Sequence, residues 1–146
     1  VHLVVVGKDC ERYRRDLGTD ARGLSEALHF PGWVEQEDLP AMYSMARAFV
    51  FPSVYEEFGI PVVEAMSCGC PVAAANTGAL PELSGDAALL CDPFDSEKLA
   101  ENTLAILLDN DVAETCRQRG LQRAAGFSWN QAARQTLEIF QRTAGG

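Results

Sequence analysis

Short apolar runs alternate with amphipathic segments along the first two thirds of the chain. Each run ends at a glycine, a proline or a polar residue, which is typical of strands in a parallel sheet. The runs lie at 2–6, 27–30, 48–51, 71–75 and 87–91. The first of them is expected to be buried on both faces. Strands separated by helical segments predict an α/β fold, with a doubly wound, Rossmann-like parallel sheet of about five strands and flanking helices.

Capping residues mark where several helices begin. Aspartates precede three predicted helices, namely Asp9 before a charged segment at 11–23, Asp38 before an apolar stripe at 39–46, and Asp95. An aspartate at such a position accepts a hydrogen bond from a free amide in the first turn. The positions of these residues therefore predict where each helix starts.

From Asp95 onward the pattern is helical only, which predicts a helical C-terminal end. The first of these helices is expected to bury a stripe formed by Leu99, Ala100, Thr103, Leu104 and Leu107. A capping box at 128–131 begins the last helix. That helix is expected to pack against protein, because its polar face carries few cations for a membrane surface. Its apolar face consists of Trp129, Ala132, Ala133, Leu137 and Phe140.

Composition and charge exclude several classes of partner. The chain has 146 residues, the size of a single domain over 1–146, and its 12 basic and 21 acidic residues give a net charge of −9. This charge disfavours binding of nucleic acid, or of an anionic membrane, through a broad basic face. No apolar run approaches the length of about 18 residues that a membrane span needs. The chain starts at Val1 within a strand pattern and without a methionine, which predicts a piece of a longer protein.

The cysteines and histidines indicate structural roles. The 5 cysteines are odd in number and scattered, as expected for small buried thiols in a reducing compartment, here the cytoplasm. Cys68 and Cys70 have no second pair of ligands nearby, and both histidines lie within apolar runs. No metal site is therefore predicted. His29 is interpreted as a core residue.

The stretch at 51–69 carries the candidate chemistry. It reads as a strand end, a polar loop, a glycine turn and a helix of about two turns, with Pro61 in its first turn and Gly69 at its left-handed end. Free amides at the start of this helix suit a phosphate, and Gly59 lets the backbone approach it. Glu64 can accept hydrogen bonds from two vicinal hydroxyls. An anion site beside a diol site indicates a nucleotide-sugar.

Structural roles would explain some of the same residues. Glu64 in the first turn would stabilise its helix, and Glu56 with Glu57 would form a solvated pair in the loop. Thr77 and Gly78 follow the fourth strand, at the edge of a parallel sheet where ligands bind. Their backbone amides either face the ligand or belong to a simple turn. Spacing alone leaves these interpretations open.

Seven residues separate Glu56 from Glu64, and the residues around them form a recognisable motif. The other matching positions are Pro52, Ser53, Phe58, Gly59, Ile60, Pro61, Ala65, Met66, Gly69, Pro71 and Val72. With this E-x7-E register the chain resembles the retaining glycosyltransferases of family 4, which have the two-domain GT-B fold. The loop at 76–82 and the strand end at 92–93 also match, so that the resemblance covers essentially the whole chain. It implies a donor site here and an acceptor-binding N-terminal domain in the same enzyme.

The resemblance implies roles for individual residues. Glu64 would hold the ribose hydroxyls of the nucleotide-sugar donor. Glu56, the candidate catalytic residue, would contact hydroxyls of the donor sugar. The backbone amides of Phe58, Gly59 and Ile60 would contact the distal phosphate or the sugar.

Two further loops complete the predicted donor site. Gly32 and Val34 belong to a loop that lies against the nucleotide base in the resembling family. Thr77 and Gly78 are the candidates for contacts with a phosphate or the base from the other side. Family members generally need no metal ion, so the expectation is a nucleotide-sugar substrate without any cofactor.

The resemblance is incomplete at the start of the chain. In the family, a strand and a helix precede the unit at 2–6. They bring an arginine and a lysine that neutralise the diphosphate. Lys8 is not at the position that matches this lysine. Without these cations and the acceptor domain, the isolated chain is expected to be nearly inactive. Two alternatives stay open, namely another GT-B enzyme such as an epimerase or a phosphorylase, and a non-catalytic module that binds nucleotide or a partner. A sheet lacking a neighbour strand also predicts homo-oligomers formed through its edge.

Overall fold

The computed structural model describes residues 1–10, 12, 23–24 and 26–144. The chain divides into two compact units, Val1–Leu39 and Pro40–Gly146, and each unit is described by itself. The prediction of one domain over 1–146 stays a prediction. The helix predicted at 11–23 lies outside the described residues except at two positions.

Two parallel strands form the sheet of the first unit. β1 spans Leu3–Val6 and β2 spans Leu28–Gly32, with a shift of register after Val4. The strand therefore continues through Pro31 and Gly32, where the sequence predicted a loop. Pro31 is tolerated because β2 pairs with one strand only in the described part of the chain, so that one edge needs no amide donor.

The expected burial of this first sheet is wrong. Leu3, Val4 and Val6 are all exposed, and so is His29, which was expected in the core. The ring of His29 stacks on that of His2, with Nδ1 of His2 and Nε2 of His29 2.9 Å apart. Pairing with another strand covers only an edge of a strand, whereas its faces are buried by helices or by a second sheet.

Three parallel strands form the sheet of the second unit. β3 spans Phe49–Phe51, β4 spans Val72–Ala75 and β5 spans Ala88–Cys91, with β4 in the middle. All four residues of β4 are buried. Three of them are alanines, whose small side chains let helices approach the strand closely. The prediction of an α/β fold with parallel strands and flanking helices is confirmed, and the described residues contain five strands divided between two sheets.

Two helices connect the strands of this sheet, namely α2 (Ile60–Ser67) between β3 and β4 and α3 (Leu80–Ser84) between β4 and β5. A further helix, α1 (Leu39–Met45), precedes β3. The hydrophobic core joins α2 and α3 to the sheet through Val62, Ala65, Met66, Val72, Ala74, Leu80 and Leu83. Side chains of α1 and β3, among them Tyr43 and Phe49, pack against the edge of this core.

Two of the C-terminal helices pack on the core, and one of them was not identified from the sequence. α4 (Ser96–Leu108) begins at the predicted cap, where Asp95 accepts a hydrogen bond from the Lys98 amide at 2.8 Å. α5 (Asn110–Ala124) follows at once, because the Asp109 side chain caps its first turn. This second cap, directly after the apolar stripe of α4, was the missed indication of α5.

The buried stripe of α4 differs from the predicted one. Asn102 and Ile106 are buried, whereas Ala100 and Leu104 of the predicted stripe are exposed. The side-chain amide of Asn102 donates to the carbonyl of Leu90 in β5 at 3.3 Å. This hydrogen bond satisfies the buried amide of Asn102 on the inward face of the helix.

The last helix, α6 (Trp129–Ala144), begins where the capping box predicted. Within this chain the helix has no buried residue, so its expected packing against protein stays a prediction. Trp129 is 82% exposed and Phe140 65% exposed. Among the described residues, no helix has the length and apolar character needed to cross a membrane.

Candidate functional site

The loop between β3 and α2 has the predicted form. Gly59 caps α2 in the left-handed region (φ 103°, ψ 44°), and Pro61 follows within the first turn. The helix closes at Gly69, also left-handed at φ 72°, where the Gly69 amide donates to Met66 O at 3.0 Å. A glycine suits each of these positions because left-handed backbone is strained for residues with a Cβ.

Two backbone amides at the start of α2, those of buried Gly59 and exposed Ile60, lack an acceptor in the described part of the chain. The amides of Val62 and Val63 both donate to the Gly59 carbonyl, at 3.0 and 3.3 Å. The amides of Gly59 and Ile60 make no hydrogen bond with any other described residue. Free amides at a helix N-terminus, where the helix dipole is positive, bind anions such as phosphate.

Glu56 lies beside these amides. The Phe58 amide donates to Oε1 of Glu56 at 3.5 Å, and Glu56 is half-buried, whereas Glu57 is exposed. The structure thus separates the two glutamates that the sequence placed together as a solvated pair. The side chains of Phe58 and Ile60 are exposed.

The loop after β4 lies against the loop that carries Glu56. The Ala79 amide donates to the Glu56 carbonyl at 3.2 Å, and the Thr77 hydroxyl donates to the Val54 carbonyl at 3.0 Å. The structure therefore brings Thr77 and Gly78 together with Glu56. Both loops emerge from the carboxyl ends of neighbouring strands, the edge of a parallel sheet at which ligands bind.

Two glycines make the close approach of these loops feasible. Gly78 has φ +54°, and a Cβ added to it would lie 1.9 Å from the Glu56 carbonyl oxygen. Gly59 is less restricted, since an added Cβ would lie 2.5 Å from Cδ2 of Leu80, a side-chain atom and not backbone. Any side chain at Gly78 would push the Glu56 loop away from its neighbour.

Glu64 lies in the second turn of α2, because the helix begins at Ile60. The interpretation of Glu64 as a stabilising acidic residue in the first turn is therefore wrong. Its carboxylate is half-buried and accepts a hydrogen bond from the Tyr43 hydroxyl at 3.4 Å. Burial, followed by the charge and hydrogen bond of Glu64, raises the pKa of Tyr43. The sequence placed Tyr43 only on an apolar stripe and gave no indication of this contact.

An aromatic contact supports the glycine turn from the other side. The rings of Phe58 and Phe127 meet edge to face, with centroids 6.0 Å apart. Arg123 lies over the Phe127 ring at 5.5 Å and donates from Nε to the Leu83 carbonyl at 2.8 Å. These residues of α5 and the following turn were also missed, since nothing in their sequence pattern points to the loop.

The remaining predicted site residues belong to the first unit. Gly32 ends β2 with φ 84°, and Val34 follows in a loop, half-buried. Between them, the Trp33 ring is exposed and carries Nζ of Lys8 at 5.0 Å from its centroid. The contacts of Gly32 and Val34 with a base stay predictions. In the part of the chain that the structure describes, no group of three or more acidic, histidine or cysteine side chains could hold a metal ion.

Comparison with known proteins gives consistent results. Residues 1–123 match the family described as glycosyl transferases group 1. The O-antigen chain mannosyltransferase B of Escherichia coli is 44% identical over 121 residues, which cover 82% of this chain and 32% of that protein. The sucrose-phosphate synthase of Spinacia oleracea is 32% identical over 116 residues, which cover 75% of this chain and 11% of that protein. The chain spans about a third or less of the length of these relatives.

Solved structures share the fold. A sucrose-phosphate synthase from Thermosynechococcus elongatus superposes with a TM-score of 0.84 at 32% identity, covering 99% of this chain and 39% of that one. The Anabaena protein Alr3699/HepE, solved in complex with UDP, gives 0.86 at 26% identity, covering 97% and 41%. Together with the match over residues 1–123, these likenesses show that the chain belongs to the glycosyl transferases group 1 family.

Proposed function

We propose that this chain is the donor-binding part of a retaining glycosyltransferase of family 4 with the GT-B fold. The whole enzyme would transfer a sugar from a nucleotide-sugar to an acceptor hydroxyl. The observation that carries the proposal concerns the loop of half-buried Glu56, which the Ala79 amide binds and which Gly78 lets approach closely. This loop lies beside the unpaired amides of Gly59 and Ile60. Carboxylate and amides together offer acceptors for sugar hydroxyls and donors for a phosphate.

Each site residue has a proposed role. Glu64 binds the ribose hydroxyls, and Glu56 binds hydroxyls of the donor sugar and is the candidate catalytic residue. The amides of Phe58, Gly59 and Ile60 bind the distal phosphate or the sugar. The separation of Glu56, half-buried, from Glu57, exposed, supports the choice between the two adjacent glutamates.

Two further loops would complete the site. Thr77 and Gly78 would contact a phosphate or the base, which their contact with the Glu56 loop supports. Gly32 and Val34 would contact the base. No metal ion or other cofactor is part of the proposal. The leaving diphosphate would be stabilised by backbone amides of this chain and by the arginine and lysine that the family's preceding strand and helix bring.

The class of donor is a nucleoside diphosphate sugar. The Anabaena neighbour was solved with UDP and with UDP-glucose, and the relatives include mannosyltransferases and sucrose-phosphate synthase. The names of these proteins refer to different sugars, so the base and the sugar that this chain binds are to be identified by titration. Sugar transfer would also require a separate acceptor-binding domain, as expected for a chain that spans a third or less of its relatives.

The proposed location is a reducing compartment, the cytoplasm. All five cysteines are free, and four of them, Cys10, Cys70, Cys91 and Cys116, are buried. Burial raises the pKa of Cys70 to about 12, which keeps this thiol protonated and unreactive.

A thermal-shift titration with UDP, GDP and ADP tests the donor site. A nucleotide at ten times its dissociation constant stabilises the folded protein by about 1.4 kcal/mol, which corresponds to a shift of a few degrees. We expect one nucleotide to stabilise the wild type, and Glu64→Ala to lose most of this shift because the ribose contact is gone. Glu57→Ala is the matched control, since Glu57 is exposed and has no role in the proposed site.

Glu56→Ala separates the sugar from the nucleotide. Because Glu56 is assigned to the donor sugar, its removal should weaken binding of the nucleotide-sugar more than binding of the bare nucleotide. Stabilisation of Glu64→Ala as large as that of the wild type would place the nucleotide elsewhere. The absence of a shift with all three nucleotides would contradict donor binding by this chain.

A further inference from the structure

Two helices meet at the carboxylate of Glu64. Tyr43 lies on α1 and Glu64 on α2, 21 residues later, and the phenolic hydroxyl of Tyr43 donates to Oε2 of Glu64 at 3.4 Å. No described residue donates a hydrogen bond to Oε1 of Glu64. A carboxylate has about four lone-pair positions on its two oxygens. One oxygen is therefore held by the protein while the other is left for a ligand.

Packing fixes the tyrosine that holds this carboxylate. Its ring meets the ring of Phe49 in β3 edge to face, with centroids 5.2 Å apart and planes at 86°. Tyr43 also packs against the hydrophobic core of the second unit. A hydroxyl on a fixed ring is a directional donor, which limits the rotamers available to the carboxylate it binds.

The protonation state of Tyr43 suits this role. Burial is the main cause of its raised pKa, and the negative charge of Glu64 acts in the same direction. The hydroxyl consequently keeps its proton at all physiological pH values and remains a donor. Without this donor, Glu64 would be a half-buried charge free to turn toward other partners.

We propose that Tyr43 is a positioning residue, which orients Glu64 so that Oε1 faces the ribose hydroxyls of the bound nucleotide. The proposal rests on the assignment of Glu64 to the ribose. Tyr43 does not touch the nucleotide in this arrangement; it acts through the carboxylate. The energetic effect of removing its hydroxyl should therefore appear only with ligands that carry the ribose hydroxyls.

The experiment compares each ribonucleotide with its 2′-deoxy analogue. Dissociation constants are measured by calorimetry for UDP, GDP and ADP and for their 2′-deoxy forms, and the pair that binds the wild type most tightly is used. We expect the wild type to prefer the ribonucleotide by about 10-fold, the effect of a lost hydrogen bond to a charged group. Glu64→Gln should reduce this preference strongly.

Tyr43→Phe is the decisive variant. It keeps the ring that packs on Phe49 and removes only the hydroxyl. We expect it to reduce the ribose preference about threefold or more, with little effect on the 2′-deoxynucleotide. Adding Tyr43→Phe to Glu64→Gln should change the preference no further, because the two residues act through one contact. Tyr55→Phe is the matched control, since Tyr55 is exposed.

The outcomes distinguish this inference from the proposed function. An unchanged ribose preference in Tyr43→Phe, or an equal loss of affinity for both nucleotides, would overturn the positioning role while leaving the donor site intact. An unchanged preference in Glu64→Gln, or a wild type without any preference, would overturn the ribose assignment and the inference with it. The unfolding temperature of Tyr43→Phe without ligand shows separately that this variant is folded.

Discussion

The two sheets have similarly apolar sequences, but only one is buried. β1 reads Leu-Val-Val-Val and β4 reads Val-Ala-Ala-Ala. Val72 in β4 has 0% of its surface exposed, whereas Val4 in β1 has 45%. β4 has a strand on each side and helices packed against it, while β1 pairs with one strand in the described residues. Burial of a strand is thus decided by its neighbours as much as by its own hydrophobicity.

The difference bears directly on the candidate site. Glu56 and Gly78 lie in loops that follow β3 and β4, the strands of the buried sheet, and hydrogen bonds join these two loops. Gly32 and Val34 follow β2 of the exposed sheet. Amides that bind a phosphate must be held at fixed positions. We therefore expect the loops of the buried sheet to define the geometry of the donor site.

The largest effect is expected where the two loops of the buried sheet touch. Gly78→Ala places a Cβ against the Glu56 carbonyl at a left-handed residue. We expect the free energy of unfolding to fall by about 4 kcal/mol or more and nucleotide binding to be lost. Urea denaturation and the thermal-shift titration measure the two effects.

Gly85→Ala is the matched control for this substitution. Gly85 has a similar φ of +56°, but a Cβ added there has no atom within 4 Å. Gly85→Ala should introduce backbone strain alone, which lowers the free energy of unfolding by about 2 kcal/mol, and nucleotide binding should be kept. Equal losses in the two variants would show that the contact between the loops is unimportant.

The same substitution, valine to alanine, in each of the two sheets tests the difference in burial directly. Val72→Ala opens a cavity in the buried sheet and should lower the free energy of unfolding by about 2 kcal/mol. Val4→Ala removes an exposed side chain and should change it by about 0.5 kcal/mol or less. Both are measured by urea denaturation. A loss at Val4 as large as that at Val72 would mean that β1 is buried in the folded protein.

A smaller effect on stability is expected where Arg123 of α5 forms hydrogen bonds with the end of α3. Arg123 donates to the carbonyls of Leu83 and Glu82 at 2.8 and 2.5 Å. Its replacement by alanine leaves these carbonyls without a charged donor and should lower the free energy of unfolding by about 1.5 kcal/mol. Because Arg123 also lies over Phe127, which contacts Phe58, nucleotide affinity should fall as well.

Arg119 provides the matched control on the same helix. It forms an ion pair with Asp86 at 3.1 Å in which both side chains are largely exposed. Arg119→Ala should change the free energy of unfolding by about 0.5 kcal/mol or less. If the denaturation curves of the two arginine variants coincide, the contacts of Arg123 with α3 contribute no more to stability than an exposed ion pair does.

Local features of the sequence predicted the elements well. Asp95 and the capping box at 128 marked helix starts, and Gly69 marked a helix end. Such residues act on backbone groups within a few positions, so their effect is readable from sequence. An error arose where partners were distant, as with His29, which is exposed although its apolar run predicted a core position. An apolar pattern states that a face can be buried, and only its neighbours determine whether it is.

The sequence by itself determined the α/β class, the family and the glycine turn between Glu56 and Glu64. These follow from local backbone preferences and from the spacing of residues along one stretch. Only the tertiary structure decided that Tyr43 holds Glu64 and that Gly78 touches Glu56. The physical reason is that such contacts depend on which strands become neighbours and how helices pack on them, and neither is encoded in the spacing of the residues concerned.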